Sequence, residues 1–272
     1  MAKHYTTYKV GKFPQMTREV FTCDNGLNSD NIKIVCFDNN GTLFAGTDKG
    51  LAMLKNDKFV SVPECEEKQI TALFFDKDNN MYVGLGKDLL IFKNGKVADS
   101  ITFSSPVIAL AQGEDNGLWI LTKTVLYKKL ENETEWDIKI GVPGDGKCLI
   151  PYKNGRVYVG TADNGLYSLV GKRWHWCELK AETTELLSNC VNCLYADPIG
   201  NIWAGTDKGM CVHDDNDYWL TSKTIPSLPS ANVNDIAIAK NGDKYFATST
   251  GLIHQHNGRL SYYGYKRWLP SQ

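Results

Sequence analysis

Apolar residues along this chain come in short runs, and between the runs stand clusters of Gly, Asn and Asp that favour turns. From Gly26 onward the pattern is regular. It predicts strands over Ile32–Phe37, Thr42–Gly46, Leu51–Lys55 and Lys58–Val62, with turns at Asp38–Gly41 and Thr47–Gly50. The stretch Gly41–Leu51, GTLFAGTDKGL, returns at Gly200–Met210 as GNIWAGTDKGM. With Gly46 as reference, weaker copies place the equivalent residue at Gly84, Leu121, Gly160, Gly205 and Ala247, a period of about 40 residues that marks solenoids and propellers. Two residues before each reference position stands an aromatic: Phe44, Tyr82, Trp119, Tyr158, Trp203 and Tyr245. Eleven before stand Val35, Leu73, Leu110, Leu149, Leu194 and Ile236, and fourteen before stand Ile32, Ile70, Val107, Gly146, Val191 and Val233.

A blade of four short antiparallel strands cannot bury both its faces, whereas blades stacked radially cover one another and leave only short edges. The expectation is an all-β fold, a β-propeller of four-stranded antiparallel blades in one domain, 1–272. Six repeats occupy 26–272. The N-terminal stretches Tyr5–Val10 and Glu19–Thr22 read as strands, making 1–25 a partial outer, seventh blade. Within that blade plan the aromatic supplies buried area between neighbours and the glycine two residues later lets backbones approach. Two copies depart from the plan. Ile120-Leu121 stand where small residues usually do, which predicts an altered turn at Thr122–Thr124 and a degenerate third blade. Gly146, at the end of the Gly-rich run Gly141–Gly146, reads as loop rather than strand start.

At 272 residues, 42% hydrophobic and 22% charged, the chain has ordinary globular composition. A formal net charge of −1 gives no electrostatic footprint for nucleic acid or an anionic membrane surface. The opening MAKHYTTYKV lacks the apolar core of a secretory signal, and no run approaches a membrane span. As it stands the chain reads as cytoplasmic, and as extracytoplasmic if it is a fragment of a sensor. Eight cysteines without an export signal should be reduced thiols. Cys190 and Cys193 form a CxxC flanked by Cys177 and Cys211, but residues three apart on a strand point to opposite faces, whereas structural zinc needs converging ligands. Cys193 and Cys148 also take the repeat position that Ala72 and Ala109 fill elsewhere, so these cysteines read as small core residues.

The units resemble the two-component regulator propeller repeat, which runs roughly GLxSxxVxxIxxDxxGxIWxGTxxGLxxY. The first copy matches it at Gly26-Leu27, Ser29, Ile32, Asp38, Gly41, Gly46-Thr47 and Gly50-Leu51. The fifth matches at Leu187-Ser188, Val191, Asp197, Gly200, Trp203, Gly205-Thr206 and Gly209, and the sixth at Leu228–Ser230, Val233, Gly242, Thr248 and Gly251-Leu252. The resemblance implies blades like those of bacterial hybrid histidine kinase sensors that respond to polysaccharide fragments. Such sensors carry a signal peptide, a transmembrane helix and a kinase, none of which is visible in this sequence. The ending Tyr265–Gln272 resembles the lead-in Ile225–Ser230 to the sixth copy. Either this tail and the N-terminal strands form a reduced seventh blade, or the sequence belongs to a longer parent.

Propellers gather the turns between second and third strands around the channel mouth. That places Asp48, Lys49, Lys87, Asp88, Lys123, Asp163, Asn164, Asp207 and Lys208 as candidate ligand-binding residues, with Trp176 or Tyr265 as a stacking surface. Asp and Lys side by side can hydrogen-bond sugar hydroxyls or a uronate, although Asp-Lys-Gly is also what a tight turn requires. Catalytic constellations are thin: five histidines, and no GxSxG, HExxH or P-loop. His213, His254 and His256 fall on third strands, where a solvated or core-edge role is expected, although His254-Gln-His256 puts two imidazoles on one strand face at a spacing that can bind a metal. These features point to a non-catalytic sensor-type module for a small polar ligand or oligosaccharide, with no cofactor, no bound metal, and no nucleic-acid or membrane partner. The alternatives are a protein-interaction scaffold and a metal-dependent lyase of the virginiamycin B lyase type, which opens a macrocycle by elimination using a histidine base and magnesium. The lyase requires a histidine on a mouth turn with carboxylates opposite, and the sequence shows none.

Overall fold

In each repeat four strands follow one another and pair antiparallel, each with the one before, so every blade is a meander. The computed structural model describes residues 20–131, 133–170, 175–214, 218–239 and 241–264. Blade one holds β1 (Ile32–Phe37), β2 (Leu43–Thr47), β3 (Gly50–Lys55) and β4 (Lys58–Ser61), and blade two β5 (Ala72–Phe75), β6 (Met81–Leu85), β7 (Asp88–Lys93) and β8 (Lys96–Thr102). Blade three holds β9 (Val107–Gln112), β10 (Leu118–Thr122), β11 (Val125–Lys129) and β12 (Ile138–Gly141), and blade four β13 (Gly146–Pro151), β14 (Val157–Thr161), β15 (Leu166–Val170) and β16 (His175–Leu179). Blade five holds β17 (Val191–Ala196), β18 (Ile202–Thr206), β19 (Gly209–His213) and β20 (Trp219–Thr221), and blade six β21 (Val233–Ile238), β22 (Lys244–Thr248), β23 (Gly251–His256) and β24 (Arg259–Gly264). First strands pack on first strands from blade to blade, β1 on β5, β5 on β9, β9 on β13, β13 on β17 and β17 on β21, which makes them innermost. Several third-to-fourth strand hairpins close on left-handed pairs, Asn56-Asp57, Asn94-Gly95 and Asn257-Gly258, the turn whose twist suits a two-residue hairpin.

The seams between blades explain the repeat's glycines. A Cβ on Gly46 would lie 2.7 Å from the Ile70 methyl of the next blade, one on Gly160 2.7 Å from Val191, and one on Gly205 2.9 Å from Val233. In blade three the reference position is Leu121, and the facing residue of blade four is Gly146, whose added Cβ would lie 3.0 Å from Leu121. Bulk and absence of bulk have changed places across one seam. The expectation of a degenerate third blade and a loop at Gly146 is thereby corrected: both blades are complete, and β13 begins at Gly146.

The partial outer blade expected from 1–25 also needs correction where it can be followed. Residues 20–22 are not a strand but lead into a 3-10 turn at Cys23–Asn25, because Thr22 and Asn25 cap each other: the Asp24 amide donates to the Thr22 hydroxyl and the Thr22 amide to Asn25 Oδ1, 3.1 Å. Phe21 then packs edge-on against Phe59 of β4, ring centroids 5.4 Å apart. Tyr5–Val10 and Tyr265 lie outside the described residues.

Five seams are covered and one flank is not. Ile32, Val35 and Phe37 of β1 are 41%, 60% and 62% exposed, whereas Ile70 and Leu73, which take the Ile32 and Val35 places in blade two, are 0% and 7% exposed. The flank of blade one that would receive a preceding blade is apolar and open, so among the described residues the six blades do not close into a ring.

Candidate functional site

The repeated threonine that ends the second strand builds the turns of one face. Its hydroxyl donates to the carbonyl three or four residues on: Thr47 to Gly50, Thr122 to Val125, Thr161 to Gly165, Thr206 to Gly209 and Thr248 to Gly251, at 2.7 to 2.9 Å. The same oxygen accepts an amide from within the turn, Lys49, Val125, Asn164, Lys208 and Thr250. The blade-three turn, expected to be altered, keeps this lock. Blade two, with Leu85 in the threonine's place, does not have it. Backbone bonds then tie each turn to the connection that enters its own or the next blade, for instance Asp48 to Asn31, Ile70 to Thr47, Val107 to Gly86 and Gly146 to Lys123. The turns are rigid, and the residues between the locked ends are the ones that face water.

The predicted residues sit on this face, each at its own turn. Lys49, Lys87, Asp88, Lys123, Asp163, Asp207 and Lys208 are exposed, and Asp48 and Asn164 are half-buried. Several are engaged by the connections beside them. The Ser29 hydroxyl and the Asn31 amide (3.1 Å to Oδ2) hold the Asp48 carboxyl below the usual range. Thr102 donates to Asp88 at 2.6 Å, Lys123 pairs with Asp145 at 3.0 Å, and Asn164 donates to the Pro143 carbonyl at 2.6 Å. Trp176 does not join them: it lies on β16, the outermost strand of blade four, opposite Leu169.

A group that the turn pattern does not reveal lies on the innermost strands. Lys147 Nζ of β13 donates to Asn192 Oδ1 of β17 at 2.5 Å, and Asn192 Nδ2 donates to Asn232 Oδ1 and to the Val233 carbonyl, both at 2.9 Å. The chain of bonds crosses blades four, five and six at the strand ends next to the locked turns. Lys147 and Asn192 each stand at the extra residue where the ladder to the second strand slips, between Gly146 and Cys148 and between Val191 and Cys193. A bulge re-aims a side chain, and nothing in the alternation of polar and apolar residues along these strands marks it. Nearby on β21, Asp235 is open to water, yet the protein packed around it raises its carboxyl above the ordinary value despite the Ile236 amide.

The CxxC brings no ligands together. Cys193 is buried and its thiol is pushed up to about 12, first by burial, while Cys190 lies at the entry to β17, 3.6 Å from Lys147 Nζ. Cys211 is likewise buried and raised to about 11, as small core residues are. Hollows also occur away from the turns. A cleft of about 390 Å³ opens on the other face between blades two and three, lined by Asp76, Tyr82, Asp99, Lys93 and Glu131 among others. No described helix is long and apolar enough to cross a membrane.

Comparisons with known proteins bear on this architecture. The family model described as two component regulator propeller matches residues 185–208, the lead-in to blade five and its first two strands. A search among curated proteins finds no match. Among solved structures the chain is similar to the extracellular domain of a hybrid two component system from B. thetaiotaomicron, with a TM-score of 0.73 and 18% identity over 87% of this chain and 33% of that one. A second such extracellular domain from the same organism gives a TM-score of 0.57 and 14% identity over 89% of this chain and 47% of that one. The chain thus spans between a third and a half of these structures. It is also similar to virginiamycin B lyase from Staphylococcus aureus, with a TM-score of 0.68 and 9% identity over 85% of this chain and 83% of that one. At such identities the likeness is one of fold. Matched repeat and blade geometry agree: the described residues form a β-propeller of six four-stranded blades, and residues 185–208, leading into and through the first two strands of blade five, match the two component regulator propeller model.

Proposed function

We propose that the chain is a non-catalytic, sensor-type binding module whose ligand is a hydroxyl-rich, carboxylate-bearing molecule of the acidic oligosaccharide class, held at the channel mouth. The observation that carries this reading is the rim of fixed polar groups: locked turns bearing Asp207-Lys208 and Asp163-Asn164 beside the Lys147–Asn192–Asn232 chain of bonds. Donors and acceptors held by backbone need no ordering when a ligand arrives, so less of the interaction energy is lost to entropy. The ammonium groups of Lys147 and Lys208 suit a carboxylate, the amide nitrogen of Asn232 suits a hydroxyl as acceptor, and the side-chain carbonyl of Asn192 suits one as donor. Two of the solved neighbours are extracellular domains, which favours the extracytoplasmic setting. The apolar flank of β1 favours a further blade beside it, supplied by residues 1–19 with 265–272 or by a longer parent.

The lyase reading lacks a matching observation: the described histidine side chains, His213, His254 and His256, are on third strands, not on the mouth turns. Melting curves of the purified chain against neutral and acidic oligosaccharides test the proposal. A ligand at about a hundred times its dissociation constant adds about 2.7 kcal/mol, which a melt resolves. The expected result is a shift with acidic oligosaccharides only, lost in the Asp207→Ala/Lys208→Ala double variant with a fall in affinity of at least about tenfold. A shift with no saccharide, or unchanged affinity in the double variant, overturns it.

A further inference from the structure

On the face of the molecule opposite the locked turns, blade six carries a group of side chains that the other blades lack. In blades one, two and five an aspartate at the end of the first strand, Asp38, Asp76 or Asp197, closes the turn to the second strand by accepting amides two and four residues on. Blade six has Ala239 there, and its carboxylate appears four residues later, as Asp243. Opposite it on β23 stand two imidazoles. The residue facing the repeat's aromatic is Met53, Ile91, Lys128, Ser168 and Val212 in blades one to five, and His254 in blade six. His256 follows on the same side of the strand.

The three side chains converge. His254 Nε2 is 3.0 Å from Asp243 Oδ2, and His256 Nδ1 is 2.6 Å from Asp243 Oδ1. One donor atom from each lies within 4.8 Å of the other two. Tetrahedral zinc with ligands at about 2.0–2.2 Å needs donor atoms about 3.3–3.6 Å apart, so small side-chain rotations suffice. The ring of His254 is held flat against Tyr245, centroids 4.5 Å apart and planes 3° from parallel. Asn257 Nδ2 lies 3.0 Å from His256 Nε2, and turned over, the same amide accepts from Nε2–H and leaves Nδ1 bare for a cation, the outer support that metal-binding histidines have.

We infer that Asp243, His254 and His256 form a site for one divalent transition cation of the zinc type, distinct from the channel mouth. Two imidazoles and one carboxylate are a borderline nitrogen and oxygen donor set that suits zinc, cobalt and nickel rather than calcium or magnesium. The site belongs to the flank of blade six that in blade five carries Trp203 against Phe246 of the following blade.

Titration calorimetry of the full chain, first treated with EDTA and dialysed, against zinc chloride and separately cobalt chloride tests this. The expected result is one equivalent bound, with the visible absorption of tetrahedral cobalt and without the thiolate-to-cobalt band that a cysteine site gives. His256→Gln, at the most exposed of the three positions, should keep the fold by circular dichroism and weaken binding at least about tenfold. Asp243→Asn should do the same if it folds. Absence of binding in the wild type, a thiolate band, or unchanged affinity in His256→Gln overturns the site and leaves the three residues as a hydrogen-bonded brace. The experiment contains no saccharide, so it stands or falls separately from the mouth.

Discussion

The seam between blades three and four and the seam between blades five and six solve one packing problem in opposite ways. At the latter, Gly205 clears a space that Val233 fills, with Cys193 Sγ only 2.4 Å from where a Cβ would be. At the former, Leu121 is fully buried and fills the space that Gly146 leaves. What the fold conserves is the summed volume across a seam, not the residue at either side, as expected of an interior packed to crystal density.

The comparison can be broken from both sides. Leu121→Ala should cost about 2–5 kcal/mol, the range for truncating a buried leucine. Gly205→Val, forced onto Cys193 and Val233, should cost about 1–3 kcal/mol through overpacking. Rebuilding the third seam in the image of the fifth, Leu121→Gly with Gly146→Val, should be less harmful than the two single changes summed, with a coupling of about 0.5–3 kcal/mol in a double-mutant cycle by urea unfolding. Additive effects would show that the two residues do not share a space.

Thr206→Val comes next. It strips the lock from the Asp207-Lys208 turn without changing shape, leaving the Gly209 carbonyl and Lys208 amide short of a partner, and should cost about 1–3 kcal/mol. Hydrogen exchange at Lys208 should quicken more than the global loss explains.

The smallest effect sharpens the contrast through pH. Burial pushes the Asp197 carboxyl up, but the Trp203 indole at 3.0 Å, the Asn201 backbone and amide, and the Gly200 amide outweigh it and bring the net value below the usual range. The folded value is depressed, so its contribution to stability is present above the unfolded value, about 3.9, and is lost as pH falls through the lower folded one. Blade four has Tyr152 in that place, whose hydroxyl donates to the Gly200 carbonyl at 2.5 Å, so no carboxylate closes that turn. Melting temperature followed from about pH 5 down to pH 2 should therefore fall less steeply in Asp197→Asn than in the wild type, each relative to its own value at pH 7.

Much of this was legible in the sequence. The aromatic two residues before the reference position and the aliphatics eleven and fourteen before it mark the two opposite faces of each blade, the aromatic toward the following blade and the aliphatics toward the preceding one, and the blades follow from that spacing. The Leu121 and Gly146 departures were visible too, but as two separate flaws, because a pairing across 25 residues is a fact of contact and not of local pattern. The turns were legible as exposed loops, and all nine of the predicted turn residues lie on that face. What escaped was the inner polar chain, since a bulge at Lys147 or Asn192 changes where a side chain points without changing the composition of the strand. Asp243 escaped for a related reason: the two histidines were noticed by their own spacing, but their carboxylate comes from the turn that leads into the neighbouring strand.

The threonine lock has a consequence for variation. It fixes a turn through one hydroxyl and the main chain, so it places no demand on the identity of the residues it encloses. Five blades carry it, and in each a short window of side chains can be exchanged with little penalty to the scaffold. Such windows, displayed side by side on one face, form a natural library in which new recognition can be sampled by changing a pair of letters at a time.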